Sequence, residues 1–295
     1  MGKLKDHMIK EMKLKNFTSK TIEAYTLAVQ SLAKYYNKSP LELSNPDLKD
    51  YFYHLLIEGM APSTRHVAYY GIKFFYNIHN MSFLMDGILG PKIPRLLPPV
   101  LDQTDIQLIL MNCHTLKYRT IFSLIYSSGL RLSEALKLKL FDVDFDRKIV
   151  TINASKNQKS RLTILSDKEI GILKKYINRY QPQDYLFFHP KDNTKPIRTG
   201  YIQRYFKKII KRCNLNEKFH VHSLRHSFAT HLLESNINLF YIMNLLGHSS
   251  INSTMIYLHM QRLDKLKIPS PLDISSINLD KNLEFSFNQI PLLCA

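Results

Sequence analysis

The sequence predicts a mainly α-helical protein with a small β-sheet, divided into an all-helical N-terminal part and a mixed α/β C-terminal part. Three observations predict it. Apolar residues in the first 83 positions recur at helical spacing. The stretch 86–100, DGILGPKIPRLLPPV, is dense in Gly and Pro, which break regular structure. Beyond it, two short runs rich in branched residues, Lys148–Asn153 and Arg161–Leu165, sit among further helical segments.

In order along the chain, Ile22, Tyr25, Val29, Leu32 and Tyr36 follow 3-4-3-4 spacing, with Thr18 or Ser19 as the N-cap. Asn45-Pro46-Asp47 reads as a helix start, with Asn45 capping and Pro at the first helical position; that helix carries Tyr51, Phe52, Leu55 and Leu56 and stops at Gly59. Pro62-Ser63-Thr64 opens another, with Val67, Tyr70, Phe74, Phe75 and Ile78 on its buried side. These elements make residues 1–85 a small helical bundle, 86–100 a semi-rigid linker, 101–263 a second domain and 264–295 a tail. In the second domain Thr104-Asp105 is expected to cap a helix, and the next runs from Lys117 to Ser128 and stops at Gly129. The polar segment between the two β-like runs suits a hairpin loop. Helices are expected near 167–180, 200–213, 222–234, 238–246 and 252–258.

The chain has 295 residues and a formal charge of +17. The excess is spread over both halves rather than held in one tail, which favours a polyanionic partner, nucleic acid first. The three cysteines are widely spaced and form no CxxC pair, so neither a disulfide framework nor a cysteine zinc site is expected. The charged N-terminus lacks the apolar core of a signal peptide, and no stretch approaches the length of a membrane span. The expected location is a reducing cytoplasm, in association with the nucleoid.

The most specific stretch is His220 to Tyr257. His222 and Arg225 are three apart, on one helix face. His248 follows in a Leu-Leu-Gly-His turn, and Tyr257 comes nine residues later. Upstream lies Arg131, in Ser-Gly-Leu-Arg-Leu-Ser-Glu. Two guanidiniums, two imidazoles and a phenol suit a phosphodiester under attack by tyrosine. Arg131 and Arg225 can cancel charge on the non-bridging oxygens, because the planar fork matches two oxygens and never loses its proton. A phenol with a pKa near ~10 needs help to lose its proton, a role given to His222. His248 can donate to the third phosphate oxygen. Lys156, in the hairpin loop, can protonate the leaving oxygen. Glu134, three residues past Arg131, can orient its guanidinium. Lys20, Arg65 and Lys73 in the first domain, and Lys159 and Arg161 beside the hairpin, are candidate DNA contacts.

These boxes resemble the tyrosine recombinases of the phage-integrase family, in particular the bacterial Xer and integron-type integrases. Ser-Gly-Leu-Arg131-Leu-Ser-Glu134 resembles the first arginine box, and His222-Ser-Leu-Arg225-His226-Ser-Phe-Ala-Thr the second. Leu-Leu-Gly-His248 and Thr254-Met-Ile-Tyr257 resemble the closing boxes. The resemblance spans roughly residues 5–265 and implies a SAM-like core-binding domain and a mixed α/β catalytic domain, clamped around duplex DNA. It also implies a 3′-phosphotyrosine intermediate, strand exchange through a Holliday junction, paired recombination sites, a homo- or hetero-tetramer on DNA, and no metal or nucleotide cofactor. The family often writes its hairpin as Gly-Lys-Gly where this chain has Ser155-Lys156-Asn157. Asparagine tolerates the left-handed backbone that glycine supplies. Ile274, Ile277, Leu279, Leu283, Phe285 and Phe287 make a candidate protomer-docking strip in the tail. The alternatives are a non-enzymatic DNA-binding protein or decayed recombinase, a type IB topoisomerase and, last, a zinc hydrolase. The zinc reading finds no HExxH, and Glu234 is the sole carboxylate between 220 and 259.

Overall fold

In a computed structural model, residues 2–93, 97–153 and 160–260 are described. The chain forms two compact units, Met1–Leu96 and Leu97–Ala295. The first is built from α1 (Gly2–Leu14), α2 (Ser19–Tyr36), α3 (Asn45–Ile57) and α4 (Pro62–Ile78). Short 3₁₀ turns at Pro40–Glu42 and Ser82–Met85 flank α3 and α4.

Local chemistry sets these ends. Thr18 caps α2, its hydroxyl accepting the Thr21 N–H at 3.2 Å. Asn37 ends the helix in the left-handed region at φ 49°. The cap of α3 is Ser44, one residue before the expected Asn45. Ser44 and Asp47 form a reciprocal capping box, with the Ser44 N–H donating to Asp47 Oδ2 at 2.7 Å. Asn45 is thereby free for a tertiary task. Its Nδ2 donates to the carbonyls of Leu84 at 2.8 Å and Asp86 at 3.0 Å, pinning the turn after α4 to the start of α3. The core gathers Met12, Leu32, Leu48, Ile72, Phe75 and Tyr76. At Gly71 an added Cβ would lie 3.0 Å from Tyr25 Cα, so the missing side chain is what lets α2 and α4 approach.

The second unit begins with α5 (Gln103–Met111), α6 (Leu116–Ser128) and α7 (Leu132–Lys137). The N-cap position of α5 is Asp102, so Thr104 and Asp105 fall inside its first turn rather than before it. A three-stranded antiparallel sheet follows, in the order β1 (Val143–Asp144), β2 (Ile149–Ile152), β3 (Arg161–Ile164). β2 and β3 pair Ile152 with Arg161 and Ile149 with Ile164. The hairpin loop that joins them, with Lys156 and Lys159, lies outside the described residues. After α8 (Asp167–Tyr180), a two-stranded ribbon pairs β4 (Phe188–His189) with β5 (Asp192–Pro196). Neither β1 nor this ribbon is legible in the sequence, because two residues, or Asp-Asn-Thr-Lys-Pro, carry no alternating apolar signal. Then come α9 (Thr199–Arg212), α10 (Val221–Glu234), α11 (Leu239–Leu246) and α12 (Asn252–Met255). The helix expected over 252–258 ends at Met255, and a 3₁₀ turn, Leu258–Met260, continues the chain. Tyr257 therefore sits in the turn between them.

α6 and α10 are the central pair. α6 is buried over Thr120–Ile125, and α10 buries ten of its residues, including Ser223, Arg225, Ser227 and Thr230. Polar side chains on helix faces this buried need partners inside the protein. Ser227 finds one by accepting the Leu101 N–H at 2.8 Å. The two helices meet closely at Gly129, the left-handed C-cap of α6 at φ 64°. A Cβ there would lie 2.4 Å from the Phe228 ring of α10. Gly129→Ala therefore adds backbone strain to a collision with a buried ring. Its unfolding free energy, measured by urea denaturation, is expected to fall by about 2 kcal/mol or more.

Candidate functional site

The site is assembled at the ends of α6, α10 and α11. Its centre is Arg225, in the first turns of α10 and only 1% exposed. A buried guanidinium has five N–H groups to satisfy. Nη1 donates to the Gly129 carbonyl at 2.7 Å, and Nη2 to the Leu246 carbonyl at 2.7 Å. These carbonyls lie at the C-terminal ends of α6 and α11, where the helix dipole favours a cation. Nη2 also lies 3.2 Å from His248 Nε2, and Nη1 lies 3.6 Å from Glu134 Oε2.

Glu134 is the anion of the site. At the third position of α7 its Oε2 accepts the Arg131 backbone N–H at 2.7 Å, and its Oε1 accepts Arg131 Nη1 at 2.7 Å. Arg161 approaches from β3 as a fork, with Nη2 2.7 Å from Oε2 and Nη1 3.0 Å from Oε1. One carboxylate thus faces three guanidiniums from α10, α7 and β3. Burial pushes its carboxyl up. The hydrogen bonds from Arg161 and from the Arg131 backbone and side chain outweigh that, and it sits at about 2. The sequence anticipates the orientation of Arg131 by Glu134. It does not anticipate the wider hub.

Arg161, expected as a DNA contact, lies elsewhere. Its side chain is 8% exposed, and its Nε donates to the Leu245 carbonyl at 2.9 Å. The guanidinium is occupied by Glu134 and by the end of α11, so it serves the site from behind. Gly247 makes this possible, since a Cβ at that left-handed position would lie 2.5 Å from Arg161 Cδ. The Leu-Leu-Gly-His turn thus holds glycine for its backbone and for the arginine behind it.

That turn delivers His248. Arginine only donates, so the 3.2 Å contact from Arg225 Nη2 makes His248 Nε2 an acceptor. The ring proton is then on Nδ1, 2.9 Å from Thr254 Oγ1, which fixes the ring against α12. Burial, followed by Arg225, Arg131 and Arg161, holds His248 down at about 4, so it is neutral at pH 7. Tyr257 comes from the next turn and is 2% exposed. Its ring lies parallel to that of His248, with centroids 6.3 Å apart. Burial raises its phenol, while the Arg225 and Arg131 charges pull it back part of the way.

His222 is exposed at the surface of α10, although its inner side is crowded. Desolvation there, then Arg225, His220 and Arg131, holds it at about 4. Its ring packs edge-on against His226 at 4.6 Å rather than against Tyr257. The residue that reaches the tyrosine is His226, whose Nδ1 lies 3.2 Å from Tyr257 Oη. Sequence reasoning missed it. The available signal was its spacing, one helical turn beyond His222 on the same face.

Arg131, Glu134, His222, Arg225, His248 and Tyr257 are thus brought to one place, with Arg161 and His226 added. Lys156 and Lys159 lie outside the described residues. Lys20, Arg65 and Lys73 belong to the first unit. Lys20 and Lys73 are exposed, on α2 and α4, whereas Arg65 is half-buried with its Nε donating to the Met60 carbonyl at 3.0 Å. Among the described residues no three His, Cys, Asp or Glu side chains converge to hold a metal ion. No described helix is long and apolar enough to cross a membrane.

A cluster of arginines and histidines around a buried tyrosine, on a mainly helical unit with one small sheet, defines a class. Residues 99–263 match the model of the phage integrase family, and residues 4–79 match the N-terminal SAM-like domain of phage integrases. The chain belongs to the phage integrase family and is an enzyme of the tyrosine recombinase type. It is 32% identical over 278 residues to a putative integrase/recombinase of Sinorhizobium fredii, covering 93% of this chain and 90% of that one. It is 30% identical to a tyrosine recombinase of Thermosipho africanus, over 85% of this chain and 93% of the other. The fold is shared with the XerH recombinase in its post-cleavage complex with a palindromic difH substrate, at TM-score 0.70 and 23% identity, covering 84% of this chain and 78% of that one. It is shared also with a lambda integrase dimer bound to a core site, at TM-score 0.71 and 17% identity, covering 87% and 94%.

The histidines make the site acid-sensitive. His226 at about 3 and His248 at about 4 both lie below their ordinary 6.5. A base with a depressed folded pKa contributes stability that is complete above the unfolded value and is lost on acidification. The melting temperature is therefore expected to fall between pH 6.5 and about 4. The fall should be shallower in His248→Asn, as differential scanning fluorimetry across that range would show.

Proposed function

We propose that this enzyme is a site-specific recombinase that cuts and rejoins DNA through a 3′-phosphotyrosine intermediate and a Holliday junction. One observation carries the reading. Tyr257 lies beside His248, ring centroids 6.3 Å apart, His248 Nε2 lies 3.2 Å from Arg225 Nη2, and Glu134 joins Arg225 to Arg131, so the phenol shares one cluster with both arginines. A scissile phosphate placed there meets a nucleophile and a positive field together.

The roles follow from chemistry. Tyr257 Oη attacks phosphorus and becomes joined to the 3′ side. Arg131 and Arg225 stabilise the charge that builds on the non-bridging oxygens. His248 adds a donor to those oxygens once the phosphate displaces its contact with Arg225 and the ring proton moves from Nδ1 to Nε2, with the Thr254 hydroxyl then donating to Nδ1. His222 stands at the solvent edge of the proton path, and Lys156 protonates the departing 5′ oxygen. Glu134 and Arg161 hold the arginines in place. The partner is double-stranded DNA carrying paired recombination sites, with the chain acting as a homo- or hetero-tetramer. The basic charge in both halves supports this, as do the DNA-bound recombinases that share the fold. No metal or nucleotide takes part in these steps.

The test begins with a library of nicked duplexes with randomised cores. Wild-type protein should trap some of them as covalent adducts stable in a denaturing gel. Tyr257→Phe should trap none and should still shift the same duplexes in a native gel. An adduct formed by the phenylalanine variant would refute the nucleophile. Arg225→Lys should reduce adduct formation by ~10²-fold or more, because a point charge cannot replace the fork. It should also lower thermal stability, since one ammonium cannot reach both the Gly129 and Leu246 carbonyls in the same geometry.

A further inference from the structure

The ring of His248 is held between two hydrogen-bonding neighbours that together bring one donor too many. Arg225 Nη2 donates to the Leu246 carbonyl at 2.7 Å and lies 3.2 Å from His248 Nε2. On the other side of the ring, Nδ1 lies 2.9 Å from Thr254 Oγ1. The ring is neutral at pH 7, so it has one proton to place. Three donors share this line: the guanidinium N–H, the ring N–H and the threonine O–H. Only two acceptors receive them, the bare ring nitrogen and the threonine oxygen. With Arg225 donating to Nε2 and Nδ1 donating to Oγ1, the proton of Thr254 is left over. Among the described residues His248 is the one hydrogen-bond partner of that hydroxyl.

Three other buried threonines place this proton on a backbone carbonyl. Thr26 donates to Ile22, Thr120 to Leu116 and Thr163 to Ser128, each at 2.7 Å. Thr254 is equally buried and keeps its hydroxyl for the ring. Its backbone is committed as well. Its carbonyl accepts the Tyr257 N–H at 3.0 Å, and its own N–H donates to the Ile251 carbonyl at 2.8 Å. One residue thus meets the histidine through its side chain and the turn of the tyrosine through its backbone. A surplus proton in a buried place is a standing cost, relieved in any state that supplies one more acceptor.

A phosphate oxygen is such an acceptor. Resting on the reading above, in which that oxygen comes between Arg225 and His248, we propose that Thr254 is a positioning residue whose hydroxyl selects the tautomer of His248. In the free chain the hydroxyl oxygen accepts the Nδ1 proton. With the phosphate in place, Arg225 Nη2 and His248 Nε2 both donate to it, and Thr254 turns its O–H onto Nδ1. All three donors are then satisfied. The ring gives its Nδ1 proton to water and takes one at Nε2, so its charge is unchanged, and the threonine keeps its own proton. A hydroxyl can do this because it both accepts and donates.

The test uses the full chain and a nicked duplex recovered from the library above. Thr254→Val keeps the shape and removes the hydroxyl. It should form the adduct roughly tenfold more slowly, the scale of one lost hydrogen bond, while still shifting the duplex in a native gel. Thr254→Ser should restore most of the rate. In a His248→Ala background, Thr254→Val should slow the reaction no further, because its effect runs through that ring. A threonine that only packs α12 would slow both backgrounds alike. In ¹⁵N-histidine-labelled protein, long-range proton–nitrogen spectra should place the His248 proton on Nδ1 in the free wild-type chain and on Nε2 in Tyr257→Phe bound to the duplex. These spectra decide the matter even where the valine variant does not fold. A free-chain proton on Nε2, equal slowing in both backgrounds, or wild-type speed in Thr254→Val would overturn the assignment. A wild-type chain that traps no duplex at all would instead sink the underlying recombinase reading, and this assignment with it.

Discussion

The structure of the catalytic unit depends on a charge balance that has no water to relax it. Arg225 is buried in the first turns of α10, where an unpaired guanidinium would cost several kcal/mol. It is held by two helix-terminal carbonyls, those of Gly129 and Leu246, and by the nearby Glu134 carboxylate. Each partner sits where it does for a reason of backbone chemistry. α6 must stop at a left-handed glycine to turn its carbonyl inward, and α11 must stop at another. The same residue therefore closes three helices onto one another.

Glu134 makes the concentration of positive charge tolerable. Three guanidiniums near one point repel, and a single carboxylate on α7 binds two of them closely and faces the third. The arrangement still carries three guanidiniums to one carboxylate, which leaves it positive. The site is thus preorganised in the sense that matters for catalysis: its dipoles and charges are set by folding, before the reaction needs them.

The histidines take the complementary part. With arginines as neighbours and little water, His226 and His248 remain neutral and behave as acceptors. Each neutral ring keeps one nitrogen free of a proton, which for His248 faces Arg225. The tyrosine itself is buried and its phenol raised, so in the free chain it is held protonated.

Much of this protein was determined by the sequence itself. The helices of both units follow from apolar spacing, caps and glycines, and the residues of the site are recognisable as ordered boxes because short motifs place side chains on known faces of helices. What the sequence left undecided was decided by contacts between distant elements. Ser44 displaced Asn45 as a cap because Asn45 had carbonyls to reach some forty residues on. Arg161, basic and beside a basic loop, reads as a surface contact, yet the fold buries it against Glu134 and Leu245, which are 27 and 84 positions away. His226 reads as a spare histidine of a helix, and only the return of the chain after α12 sets Tyr257 against it. Local patterns report what a residue can do within a turn or two. Its partner is fixed by long-range packing, which no window of the chain contains.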